Sequence, residues 1–255
     1  MYLTKLAAVC LALSAAFPAW PADGAEDGTP LTKATIQSIV RSYLLEHPEI
    51  LVEMSGALRK RQADSQREKA QAAIAARRSE LLADAGSPVA GPASEAGGSV
   101  SLVTFFDYRC GYCKKVDPLL KKLAAEDPTL RIVFKEFPIL GPESTFAALA
   151  ALAAREQGGY LKFHYALMAS TDLSREAVER IAVESGLDAE RLKKDMAKPE
   201  LPSALARNRS LADALEIQAT PAFVIGGEVA PGALDEAALK GLIAKARAGA
   251  PNQPE

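Results

Sequence analysis

The sequence has 255 residues, of which 49% are hydrophobic and 24% are charged, and its formal net charge is −2. This length and apolar content permit one or two globular domains with a sizeable core. The balanced charge, in which acidic residues are interleaved with basic ones, argues against nucleic acid as a partner.

The first residues are typical of a cleaved secretory signal, which we assign to residues 1–22, with cleavage between residues 16 and 25. Lys5 supplies a positive end, and an apolar run of about twelve residues follows it. That run is too short to span a bilayer. The signal predicts export to the periplasm, an oxidising compartment. Cys10 leaves with the signal, unless it carries a lipid anchor, which the short apolar sequence before it disfavours.

Residues 31–82 are polar, rich in alanine and helical in pattern, with a break predicted at His47-Pro48. A narrow apolar stripe recurs at helical spacing on both sides of this break. It consists of Ile36, Ile39, Val40, Tyr43, Leu44, Ile50, Met54 and Leu58. Beyond Leu58 it thins to alanines and a lone Ile74, without the apolar heptads of a strong coiled coil. The stripe cannot build a core alone, so it either packs on its own chain or forms an oligomerisation stalk with sister chains.

A segment rich in Gly, Pro, Ser and Ala, residues 84–98, predicts a linker. The pattern changes after it. VSLVTFF at 100–106 predicts a buried strand, the residues from Cys110 to Leu123 predict a helix, and RIVFKEF at 131–137 predicts a second strand. This β-α-β order favours a parallel strand pair with a right-handed crossover.

Helical patterns fill most of the sequence between residues 142 and 216, and Ser174 is the predicted N-cap of one of these helices. AFVIGGEVA then predicts a β-hairpin around Gly226-Gly227, and a closing helix is predicted to end at Gly249. Strands therefore bracket a block of helices in an α/β arrangement.

Cys110 and Cys113 are separated by two residues at the predicted start of a helix. Unpaired N–H groups and the helix dipole stabilise the thiolate of Cys110, while Cys113 lies one turn inside the helix. The spacing favours a redox pair in which Cys110 attacks and Cys113 resolves. A zinc site needs four ligands, and His47 and His164 fall in other segments. Linear Cu(I) binding by the two thiolates stays open, whereas two inert buried thiols do not explain this position.

FFDYRCGYCKK after a strand, with TPAFVIGGEVAPGA far downstream, resembles the DsbA-like branch of the thioredoxin superfamily, the secreted bacterial thiol-disulfide oxidoreductases. The resemblance implies a thioredoxin fold over residues 99–249, with an inserted helical subdomain at about 142–216, preceded by the N-terminal helical stalk. It assigns Cys110 as the nucleophile and Cys113 as the resolving cysteine of a redox-active disulfide, with no other cofactor.

The same resemblance places Thr220-Pro221 in a cis-proline loop against the active site. A cis-proline exposes the backbone of Thr220, which can then pair with a substrate strand. We therefore expect substrate to bind at Thr220 and Pro221 and at the dipeptide between the cysteines, Gly111 and Tyr112.

Residues 31–82, which include SYLLEHPEILVEM, look like the N-terminal segment of the ScsC subgroup, which is associated with copper tolerance. Members of that subgroup are implied to form trimers through this segment and to shuffle disulfides. The expected partners are unfolded or misoxidised secreted proteins, a membrane redox partner, and sister chains in a homotrimer or another homo-oligomer.

Two departures from the DsbA-like pattern bear on mechanism. Family members often carry an acid six residues before the nucleophile, where this chain has Thr104, so proton transfer to Cys113 must use water or another group. The dipeptide between the cysteines is Gly-Tyr, as in the isomerase DsbC, which favours isomerase or reductase work over oxidation. A copper-binding role of the cysteine pair is the rival. We interpret His164 as a packed core residue and Lys114 as part of a solvated helix face.

Overall fold

A computed structural model gives the fold and describes residues 32–92 and 99–249. The predicted signal peptide, Cys10 and residues 93–98 of the predicted linker lie outside these residues. The chain divides into two compact units, Met1–Leu58 and Arg59–Glu255. Among the helices of the described ranges, none is both long and apolar enough to cross a membrane.

The first unit contains helix α1 (Lys33–Glu46) and the beginning of helix α2 (Glu49–Ala76). Thr32 caps α1, since its side-chain oxygen accepts a hydrogen bond from the backbone N–H of Thr35 at 3.2 Å. The predicted break at His47-Pro48 is confirmed, since α1 ends at Glu46 and α2 begins at Glu49. The break has a local cause, because a proline disfavours the helical conformation of the residue before it.

The apolar stripe of the first unit is exposed to solvent in the single chain. None of the residues of α1 is buried. The exposed apolar side chains are Ile36, Ile39, Val40, Tyr43, Leu45, Leu51, Val52, Met54 and Leu58. Such a run of exposed apolar side chains is unusual on a monomeric soluble protein.

The second unit is built around a five-stranded sheet with the order β1-β3-β2-β4-β5. Its strands are β1 (Val89–Ala90), β2 (Val100–Phe106), β3 (Leu130–Glu136), β4 (Ala222–Ile225) and β5 (Glu228–Pro231). β2 pairs in parallel with β3, as predicted, and antiparallel with β4. Helix α4 (Gly111–Glu126) connects β2 to β3, and helix α10 (Glu236–Gly249) follows the predicted hairpin of β4 and β5.

The two faces of the sheet bury separate apolar clusters, because alternate residues of a strand point to opposite sides. One cluster includes Leu102, Phe106, Ile132, Phe134, Val116, Leu120, Phe163, Phe223, Leu239 and Ile243. The other includes Val103, Phe105, Val133, Val224, Ile74, Leu81, Leu211 and Leu215. Ile74 at the end of α2, a lone apolar residue in the sequence, is therefore part of the second core.

Five helices stand between β3 and β4 and form the inserted helical block. They are α5 (Pro142–Ala154), α6 (Tyr160–Ala169), α7 (Arg175–Glu184), α8 (Ala189–Met196) and α9 (Glu200–Ala214). α5 is alanine-rich and largely buried, and small side chains let its neighbours approach closely. Ser174 caps α7 as predicted, since its side-chain oxygen accepts from the backbone N–H of Ala177 at 3.3 Å.

The first part of the predicted linker at 84–98 contains a strand of the sheet. Val89 and Ala90 form β1, which pairs antiparallel with β3, and the backbone N–H of Phe134 donates to the carbonyl of Pro88 at 2.9 Å. Helix α3 (Arg78–Leu82) precedes this segment, and the ammonium of Lys135 donates to the carbonyl of Glu80 at 2.6 Å. These backbone hydrogen bonds to β3 order a segment whose composition alone predicts a flexible linker.

Leu102 lies in the central strand β2 and is fully buried. Leu102→Ala should lower the free energy of unfolding by about 2–5 kcal/mol, because it removes apolar contacts and leaves a cavity in the first cluster. The measurement is urea unfolding followed by circular dichroism. Val183→Ala on the exposed face of α7 is the control, and equal losses for the two variants would contradict the core position of Leu102.

Candidate active site

Cys110 is the N-cap of α4, at the point where the chain leaves β2. The backbone N–H of Cys113 donates to the sulfur of Cys110 at 3.3 Å, so the first turn of the helix directs an N–H group at this sulfur. Both cysteines are free thiols in the structure. The sulfur of Cys110 therefore occupies the position where a helix N-terminus favours negative charge.

The loop before β4 lies directly against Cys110. The peptide bond between Thr220 and Pro221 is cis, as the resemblance implied. The Cys110 thiol donates to the carbonyl oxygen of Thr220 at 3.3 Å. The fold thus joins Cys110, Cys113, Thr220 and Pro221 in one site, although the two pairs stand far apart in the sequence.

Gly111 and Tyr112 form the exposed edge of this site. The Tyr112 side chain is 63% exposed, and the space around Gly111 is open, since a Cβ atom there would meet nothing within 4 Å. The ammonium of Lys115 lies 5.4 Å from the centre of the Tyr112 ring. An incoming polypeptide can reach both residues of the dipeptide.

Asp107 holds the segment that presents Cys110. Its carboxylate is almost fully buried and accepts from the backbone N–H groups of Arg109 at 2.7 Å, Ile139 at 2.8 Å and Leu140 at 2.9 Å. It also accepts from the Ser144 hydroxyl at 2.7 Å. The carboxylate therefore connects the entry to α4 with the loop after β3 and the first turn of α5.

Cys113 points into the protein, towards the inserted helices. Burial raises the pKa of its thiol above the ordinary value. Its side chain lines a small cavity of about 10 Å³, roughly the space that one water molecule needs. The polar residues among those that share this cavity are Thr104, Asp117 and His164.

His164 is fully buried, which agrees with its interpretation as a packed core residue. Both of its ring nitrogens have partners. Nδ1 lies 2.9 Å from the Tyr108 hydroxyl, and Nε2 lies 2.9 Å from a carboxylate oxygen of Asp117. Tyr108 in turn donates to Glu136 Oε1 at 3.0 Å, and Tyr160 donates to the same oxygen at 2.8 Å. A continuous chain of hydrogen bonds thus runs from Glu136 to Asp117 at the cavity beside Cys113.

The buried carboxyl of Glu136 has a pKa raised to about 8 because burial disfavours its charged form. The hydrogen bonds from Tyr160 and Tyr108 oppose this shift, and the charge of Asp107 adds to it. Glu136, Tyr160 and Asp117 were not among the site residues predicted from the sequence. The available signals were an acid near the end of the predicted strand RIVFKEF and an acid one helical turn after Cys113.

Lys114 was expected on a solvated helix face, and this prediction is wrong. Its ammonium donates to the carbonyls of Leu167, Met168 and Ser170 at 3.1, 3.2 and 2.6 Å. These carbonyls lie at the C-terminal end of α6, where a positive charge is favourable. Lys114 therefore binds the active-site helix to the inserted block.

Within the ranges 32–92 and 99–249 there is no group of three or more His, Cys, Asp or Glu side chains placed to hold a metal ion. The two thiols of Cys110 and Cys113 are the soft donors at the site, a set that suits Cu(I) in linear coordination. The arrangement of a helix-capping thiol, a shielded second thiol and the backbone carbonyl of a cis-proline loop is chemically suited to thiol-disulfide exchange.

Residues 101–244 match the protein family described as the DSBA-like thioredoxin domain. The chain belongs to this family. Residues 33–64 match a second family, the N-terminal domain of the copper resistance protein ScsC. Together these matches correspond to the ScsC-like subgroup that the sequence resemblance indicated.

The chain is similar to several solved structures, among them the following two. A thioredoxin-like oxidoreductase from Silicibacter pomeroyi DSS-3 is 41% identical with a TM-score of 0.65, over 68% of this chain and 99% of that one. ScsC from Proteus mirabilis in a transitional conformation is 31% identical with a TM-score of 0.62, over 85% and 97%. A curated relative, the Na(+)/H(+) antiporter NhaA 3 of Salinispora tropica, is 30% identical over 61% of this chain. The chain spans only 24% of the length of that antiporter.

The raised pKa of Glu136 predicts how stability depends on pH. Between its ordinary value of 4.5 and about 8, native Glu136 holds a proton that the unfolded chain releases, so the free energy of unfolding falls as pH rises. Glu136→Gln cannot ionise and should avoid this loss, which amounts to at most about 1.4 kcal/mol per pH unit. Urea unfolding of both proteins from about pH 4 to 9 tests this. A stability difference that does not change with pH would contradict it.

Proposed function

We propose that this chain is a periplasmic thiol-disulfide oxidoreductase whose reduced Cys110–Cys113 pair reduces or isomerises disulfides in folding secreted proteins. The observation that carries the proposal is the contact between the Cys110 thiol and the carbonyl of Thr220 beside the cis peptide bond. It places the nucleophilic sulfur beside the backbone of the cis-proline loop, next to the exposed residues Gly111 and Tyr112.

The geometry supports a substrate that binds as an extended strand. Its backbone pairs with Thr220, which directs the substrate disulfide at Cys110. Exposed Gly111 and Tyr112 border the same position and contact the side chains around that disulfide. Backbone pairing is independent of side chains, so such a site accepts many unfolded sequences.

The Gly-Tyr dipeptide supports reduction or isomerisation over oxidation. A histidine before the resolving cysteine would stabilise the Cys110 thiolate when protonated, whereas Tyr112 is neutral. A less stabilised thiolate makes the disulfide less oxidising. The pair then stays reduced more readily, the state in which an isomerase attacks a wrong disulfide. A membrane redox partner is the proposed source of the electrons that keep it reduced.

Cu(I) binding by the same two thiols is the second candidate function. It is supported by the softness of the donor pair and by the match of residues 33–64 to the N-terminal domain of a copper resistance protein. Copper would block the disulfide chemistry while bound, because the thiolates that ligate it are the ones that attack disulfides.

We also propose that the chain forms a homotrimer or another homo-oligomer through residues 31–82. The exposed apolar stripe of α1 and early α2 supports this, since sister chains would remove these side chains from water. Several active sites in one assembly raise the local concentration of thiols around a misoxidised substrate, which favours isomerase work.

The full chain should restore activity to scrambled ribonuclease in a glutathione buffer. Cys110→Ala should abolish this activity because it removes the attacking sulfur. Cys113→Ala should retain attack and accumulate mixed disulfides with the substrate, visible on non-reducing gels. A wild-type protein that restores no activity, yet binds Cu(I) tightly when reduced, would contradict disulfide isomerisation and favour copper binding as the function.

Sedimentation analysis of the full chain tests the oligomer. The double variant Ile39→Asp, Leu51→Asp should sediment as a monomer, because it places charges where apolar surfaces meet. Gln37→Glu, a polar exposed position of the same helix, is the matched control and should leave the assembly intact. A wild-type protein that is monomeric at all concentrations would refute the stalk.

A further inference from the structure

Reduction of the Cys110–Cys113 disulfide requires a proton for Cys113, and the thiol-disulfide exchange proposed above does not name its donor. When a thiolate attacks Cys110 in the oxidised protein, Cys113 leaves as a thiolate. Burial raises the pKa of this thiol, and a thiolate of high pKa is a poor leaving group unless it is protonated as it leaves. Thr104, which lines the same cavity, has no titratable group to supply that proton.

The hydrogen bonds around His164 determine where a proton is stored. Tyr108 and Tyr160 both have pKa values raised by burial, so they remain hydroxyls and donate to Glu136 Oε1. A hydroxyl carries one hydrogen. When that of Tyr108 is directed to Glu136, its oxygen accepts from the Nδ1–H group of His164.

This tautomer leaves Nε2 of a neutral His164 without a hydrogen. Nε2 nevertheless lies 2.9 Å from a carboxylate oxygen of Asp117, a distance at which two acceptors would repel each other. In this arrangement one further proton lies at the contact, as an imidazolium beside a carboxylate or as a carboxylic acid beside an imidazole. The His164–Asp117 pair carries an exchangeable proton at the wall of the cavity that Cys113 also lines.

We propose that the His164–Asp117 pair is the proton donor to Cys113 when the Cys110–Cys113 disulfide is reduced. Asp117 lies one helical turn after Cys113 on the same face of α4, and the cavity between them has room for one relaying water. Tyr108 is a positioning residue, because it fixes the tautomer that makes the pair hold the extra proton. The proposal rests on the thiol-disulfide exchange proposed above.

Other charged and titratable groups surround the pair from the loop after β2, from α4, from β3 and from α6. They are Asp107, Tyr108, Cys110, Cys113, Lys114, Lys121, Glu136, Tyr160 and Tyr165. Glu136 is mostly neutral below its raised pKa of about 8, and Lys114 contributes a positive charge near Asp117. The pair is therefore the group in this cluster that both holds a mobile proton and borders the cavity.

A small dithiol reduces the protein disulfide in two exchange steps. One reductant thiolate attacks the sulfur of Cys110, the Cys110–Cys113 bond breaks, and Cys113 takes the proton of the pair. The second reductant thiol loses its proton to solvent and attacks its partner sulfur, which releases the Cys110 thiolate and the cyclic oxidised reductant. Two electrons pass to the protein disulfide, and solvent returns a proton to the pair.

The test is the rate at which dithiothreitol reduces the oxidised full chain, measured by acid quench, alkylation and intact-mass spectrometry between about pH 5 and 9. Asp117→Asn can still hydrogen-bond His164 but cannot carry the proton. At low pH we expect it to react about 100-fold more slowly than the wild type, the usual size of general acid catalysis. The ratio of the two rates should shrink as pH rises, because a general acid speeds a reaction only while it holds its proton.

Two further variants separate this role from a structural one. Asp195→Asn replaces another buried aspartate, on α8 outside the site, and should react at the wild-type rate. Tyr108→Phe frees His164 to carry its hydrogen on Nε2, so it should show the same slowing and the same narrowing with pH while Asp117 is intact. The proposal is overturned if Asp117→Asn reacts at the wild-type rate, if Asp195→Asn slows equally, or if the ratio is constant over the pH range. Because the reductant is a small molecule, these results are independent of whether scrambled ribonuclease is reactivated.

Discussion

A buried carboxylate is stable only when several donors surround it, and Asp107 meets this requirement with four hydrogen bonds. Those donors come from three places: the residue before Cys110, the loop after β3, and the first turn of α5. The single charge therefore fixes the start of α4 relative to the inserted helices. The position of the Cys110 sulfur against Thr220, and of Cys113 against His164, follows from that constraint.

The apolar residues of the N-terminal helices lie in two different environments. The sequence allowed the stripe of residues 31–82 either to pack on its own chain or to face sister chains. Ile74, near the end of α2, is buried in the second core, whereas Ile36, Tyr43 and Met54 are exposed. Beyond Leu58 the stripe thins to alanines, so the sequence alone did not show that Ile74 is a core residue.

The strands, the active-site helix and the hairpin could be predicted from sequence because each has a local signal: apolar runs, a capping cysteine, or paired glycines. β1 could not, because a two-residue strand is held by backbone hydrogen bonds to β3 and leaves no side-chain pattern. The redox pair was visible from its spacing, and the cis bond only from a family resemblance.

The hydrogen-bond chain behind Cys113 was beyond the reach of the sequence for a different reason. Glu136, Tyr108, His164 and Asp117 come from four separate elements, and none has a fixed spacing to the next. His164 could be read as a core residue, which it is, but its partners depend on how α6 packs over β3. Local patterns carry no information about such long-range contacts.

The three hydrogen bonds of Lys114 have a mechanical consequence. A lysine ammonium has three hydrogens, and here each has a carbonyl acceptor at the end of α6, so the side chain acts as a rigid brace between α4 and α6. Met168 and His164 of α6 and Cys113 and Asp117 of α4 face one another across the gap that this brace spans. The width of the passage behind the resolving sulfur is thus set by a residue that itself takes no part in the exchange of electrons.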